Sequence, residues 1–143
     1  MTELLNPAQR SSLAVRLRTF EMTLRQADAW LQRDPGDGLL YRYTVDLTPQ
    51  QRAAIRAEIQ VALAEIARLV EKFELVPHRQ HFSSMLAAQM SGEWSSLCDV
   101  RAEKLRRYGD VDPRLPMQLN PGIDTLIELA ATLARLAADP ALR

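Results

Sequence analysis

Cys98 is the only cysteine, so no disulfide can form within the chain. Histidine is nearly as rare: His78 and His81 are the two present. Net charge is missing as well, because 18 basic side chains balance 18 acidic ones. A neutral chain has no long-range field to draw it onto a phosphate backbone, which argues against general nucleic-acid binding. No apolar run approaches the roughly 18 residues needed to span a bilayer, so no membrane segment is expected. The opening residues Met1, Thr2, Glu3, Leu4 and Leu5 lack a basic stretch followed by an apolar one. No secretory leader is therefore expected, and a cytoplasmic location follows by default. There is no internal repeat and no low-complexity tract.

Glycine is scarce, with five residues, while Ala, Leu, Arg, Glu and Gln abound. Those side chains lose little rotamer freedom in a helix, so the composition favours helices. A length of 143 residues suits one domain, 1–143, with a core large enough to need no staple.

Three places share one helix-start grammar. Asn6-Pro7, Thr48-Pro49 and Asn120-Pro121 each set a capping oxygen before a proline whose missing N–H costs nothing in the first turn. Thr48 and Gln51 also spell a capping box.

The periodicity predicts a first helix over 7–33, with a seam of Leu13, Leu17, Phe20, Leu24, Ala27 and Leu31. A second spans 49–74, with Ile55, Ile59, Ala62, Ile66, Leu69 and Phe73 in the same four-three rhythm. Pro77 separates it from a third over 79–108, closed by Lys104, Arg106 and Arg107 and by Gly109 as a left-handed cap. The fourth should cover 121–138, with Leu126, Leu129, Leu133 and Leu136 on its apolar face. Between the first two lies 34–47, where Tyr41, Tyr43, Val45 and Leu47 alternate with polar residues as an extended piece would. Returning along the bundle, that strap would make those helices parallel. Residues 110–119, with Pro113 and Pro116, read as a second, non-helical strap. The expected architecture is an all-α four-helix bundle with a long extended crossing loop between helices one and two.

No catalytic grammar and no cofactor fingerprint is present, and no cofactor is expected. Arg101 is the least expected residue. On a helical wheel it falls inside the apolar arc of the third helix, seven residues from both Trp94 and Tyr108. A guanidinium stays charged when buried, so it needs an acceptor or a route to water. Glu21 and Asp28, bordering the first seam, are the expected intramolecular partners. A structural ion pair or a snorkelling arginine is the plain interpretation. An anion or ligand pocket built from Arg101, Trp94 and Tyr108 is the sharper one.

His78 and His81 lie three apart, a spacing that can grip a metal if a third ligand joins. No closing ligand pair accompanies them, so they read as solvated residues at a helix start and no metal is assigned. Asp34, Asp37 and Gly38 lack calcium-loop spacing and read as a turn. Cys98 reads as a small hydrophobe.

Opposite the main seam of the first helix, Val15, Met22 and Ala29 recur every seven residues, flanked by Arg18, Arg25 and Gln26. A line of three can centre a helix–helix contact, and zero net charge leaves self-association unopposed. The expected function is a non-enzymatic interaction module, a homodimeric adaptor or regulatory protein. The alternative is a small-ligand or anion-binding bundle with a pocket around Arg101, Trp94 and Tyr108.

Overall fold

The computed structural model describes residues 4–142, and among them the chain is all-helical, with four α-helices and no β-strand. The leader expectation rests partly on residues 1–3, which lie outside that range. The helices are α1 (Pro7–Gln32), α2 (Pro49–Lys72), α3 (Phe82–Cys98) and α4 (Leu115–Ala138), with 3-10 helices at Lys104–Tyr108 and Pro140–Leu142. Among the described residues no helix is long and apolar enough to cross a membrane. Two compact units meet in sequence between Pro77 and His78.

In the first unit, α1 and α2 both begin with a full capping box. The Gln9 amide donates to Asn6 Oδ1 at 2.8 Å, and Gln9 Oε1 accepts from the Asn6 amide at 2.9 Å. Thr48 and Gln51 repeat this at 3.1 and 2.8 Å. The two helices then bury their seams on each other. Leu24, Ile59 and Ile66 form the centre, with Leu17, Leu31 and Val70 packed around it.

The direction of pairing is set by two arginines. Arg52 donates to the Leu31 carbonyl at 3.1 Å, and Arg56 Nε to Asp28 Oδ1 at 3.1 Å. Later residues of α1 thus meet earlier residues of α2, and the helices are antiparallel. The parallel arrangement that the long connection would allow is not adopted, because Arg52 ties the end of α1 to the start of α2.

The end of α2 is closed without glycine. Glu74 sits at φ 53°, in the left-handed region. The Leu75 amide reaches back to the Val70 carbonyl at 2.9 Å and the Glu74 amide to Glu71 at 3.3 Å. This is the Schellman pattern, accompanied by burial of Leu75.

The second unit departs further from expectation. The third helix stops at Cys98 rather than 108; a turn follows, then the 3-10 helix that carries the cationic residues. Gly109 closes that segment at φ 149° and ψ 174°, an extended conformation open essentially to glycine alone and not the left-handed cap expected. The fourth helix begins at Leu115, not at Pro121, so Pro121 lies inside it and the non-helical strap shrinks to 110–114. Pro116 takes the helix-start role instead.

Candidate functional site

Asn120 looked like a cap for its own helix, but its side chain is spent elsewhere. It is buried at 8% exposure, within α4. Its Oδ1 accepts from the amide of Ala102, a residue with 0% exposure, at 2.8 Å. Its Nδ2 donates to Glu103 Oε1 at 2.7 Å. One amide therefore holds both a backbone donor and a carboxylate of the turn that follows α3. An asparagine and a proline are the same residue types whether they start a helix or sit in one, so spacing alone did not separate the two roles.

Arg101 belongs to this knot. It lies on the turn, not on the apolar arc of a helix, and its guanidinium donates to Asp124 of α4 and, at 3.4 Å, to Glu103. Asp124 above all, with Glu103 beside it, strengthens the hold of Arg101 on its proton. The Glu103 carboxyl is held below the ordinary carboxylate range by its own backbone amide first, then by Asn120 and Arg101.

The expected partners Glu21 and Asp28 are engaged in the first unit instead. Glu21 pairs with Arg25 one turn on at 2.8 Å. Asp28 takes Arg56 and Gln32, and its carboxyl is held low chiefly by the Arg56 hydrogen bond. Trp94 stands half exposed on α3, and Tyr108 is exposed with Arg107, not Arg101, over its ring at 5.7 Å. The geometry around Arg101 is thus that of a structural ion pair, with acceptors from α4 and the turn itself.

His78 and His81 are exposed, and among the described residues no group of three or more His, Cys, Asp or Glu is arranged to hold a metal ion. Cys98 is a half-buried free thiol at the last position of α3. Asp37 does serve a turn: its Oδ1 accepts from the Tyr43 amide at 3.0 Å, and Arg42 lies 3.3 Å from its other oxygen. A β-carbon at Gly38 would lie 2.4 Å from the Tyr41 ring, so any larger residue there would have to displace that exposed side chain. The tip that this turn presents, Leu39 and Leu40, is fully exposed.

The outer line of α1 is where the sequence placed it. Val15 is 44% exposed and Met22 50%, and Ala29 is exposed as well, while Leu17, Leu24 and Leu31 on the opposite face pack on α2. At 100° per residue these two sets are separated by about half a turn of the helix. Arg18 flanks this line and Arg33 follows the end of the helix as its cap, and neither makes an ion pair among the described residues.

Sequence reasoning missed a hollow in the first unit. Its volume is about 300 Å³, and it opens between the end of α1, the start of α2 and the strap over 43–47. The signal was present in the alternation of Tyr43, Val45 and Leu47, but a one-sided strap can either seal a core or roof a cavity. No family model, no curated protein and no solved structure matches the chain.

Proposed function

We propose that this chain is a non-enzymatic protein-interaction module that docks an acidic amphipathic helix on the outer face of α1. The observation that carries the proposal is the exposed Val15, Met22 and Ala29 line on a helix whose other face is already used for packing. Arg18 beside that line and Arg33 just past the helix end, both unpaired among the described residues, supply the charge that selects an acidic partner over a basic one. The fully exposed Leu39 and Leu40 at the loop tip add a second apolar contact point on the same unit.

A designed helix of about three heptads, with leucine seams and glutamate flanks, is the direct probe. Fluorescence anisotropy of that peptide should rise saturably with the full chain and should weaken steeply with added salt. Met22→Glu should abolish the rise. An anisotropy that Met22→Glu leaves unchanged, or a glutamine-flanked peptide that binds equally well, would remove the proposal.

Self-association is the second reading, favoured by the zero net charge. It predicts a dimer by light scattering that Met22→Glu returns to monomer. A monomeric mass in both samples eliminates this reading and leaves the heterologous partner.

A further inference from the structure

The hollow under the strap has no role in the docking described above, and its lining points to a ligand of its own. Trp30, Tyr43, Val45, Leu47 and Ile55 face it, and each remains between about a third and a half exposed. Apolar surface on the inner wall of a concavity is covered only when something enters. Charged residues at the hollow are Asp34, Asp46 and Arg52. Arg52 is already committed, donating to Asp34 and to the Leu31 carbonyl. Asp46 makes no hydrogen bond or ion pair among the described residues. The balance left for a ligand is therefore one negative charge beside two aromatic rings, both of which favour a cation.

We propose that this hollow binds a small amphipathic amine, its apolar body under the strap and its ammonium group at Asp46. The volume of about 300 Å³ lies at the low end for ligand pockets. At about 30 Å³ of liquid volume per water-sized unit it takes roughly ten non-hydrogen atoms. An arylalkylamine is of that size. Arg52 and Asp34, both in the wall of the hollow, fasten the end of α1 to the start of α2. This site is independent of the outer face of α1: Met22 and Val15 do not line it.

The test uses the full chain carrying Trp94→Phe, so that Trp30 is the sole tryptophan reporter. Three probes of matched shape are titrated: phenethylamine, phenethyl alcohol and 3-phenylpropionate. Trp30 emission should change saturably with the amine, about tenfold more weakly with the alcohol, and not with the carboxylate. Asp46→Asn, a substitution at an exposed residue, should bring the amine down to the level of the alcohol. Equal responses to all three probes, no saturable response to the amine, or an amine response that Asp46→Asn leaves intact would each overturn the proposal.

Discussion

The two units are held together by different physics. The first has an aliphatic centre, Leu24 with Ile59 and Ile66, drawn from matching seams on two antiparallel helices. In the second, the buried positions are Ala102, Ala130 and the polar Asn120. Small side chains there let the backbone of the turn come close to α4, and the Asn120 amide supplies the specific bonds. One unit relies on area removed from water, which is forgiving of detail. The other relies on a buried polar group whose partners must all be present, which is not.

Removing methylenes from the first centre should give the largest loss. Ile59→Ala is expected to cost about 3 kcal/mol by urea denaturation, from lost transfer energy and the cavity left behind. A cost below about 1 kcal/mol would mean that the seam is not the centre of this unit.

Next comes the knot. Asn120→Ala leaves the Ala102 amide buried without an acceptor, at an expected cost of about 2 kcal/mol. Amide exchange separates this from generic destabilisation. The Ala102 amide should lose its protection in Asn120→Ala, while Ile59→Ala should leave that amide comparatively protected. Equal effects of both variants on Ala102 would erase the distinction between the units.

Those two variants also mark what could be read from the chain beforehand. Ile59 and Leu24 announced themselves by recurrence at helical spacing, and the structure uses them accordingly. The caps at Asn6 and Thr48 were equally legible, since side chain and backbone partner lie within one turn. Asn120 carried the same local signature and serves a residue 18 positions away. Arg101 was conspicuous, but its acceptor Asp124 stands 23 positions away on another helix, and no local spacing links the two. The end of α3 was misplaced for a related reason, because Lys104, Arg106 and Arg107 suit the close of any helix, including a 3-10 one. Contacts that depend on how two distant segments approach have no periodicity to betray them.

A smaller effect, of opposite sign, is expected at the end of α2. Glu74 holds a conformation that glycine adopts freely, so Glu74→Gly should raise stability by about 0.5–1 kcal/mol. Loss of stability would show that the Glu74 side chain contributes more than its backbone costs.

The smallest effect is electrostatic. Asp28 is held ionised by Arg56, so its contribution is present above the ordinary carboxylate range and fades as pH falls through its lowered value. Melting temperatures of the wild type and Arg56→Gln should therefore differ at neutral pH and converge below about pH 4. A gap that persists in acid would assign the role of Arg56 to packing instead.

One face of α1 packs on α2 through Leu17, Leu24 and Leu31, and the exposed line of Val15, Met22 and Ala29 on the other is the proposed docking face. Methyl chemical-shift mapping during addition of the glutamate-flanked helix tests it most directly. The account predicts saturable shifts at Val15, Met22 and Ala29, with the methyls of Leu24, Ile59 and Ile66 unmoved. Shifts confined to the buried set, or none on the outer line at saturating peptide, would contradict it.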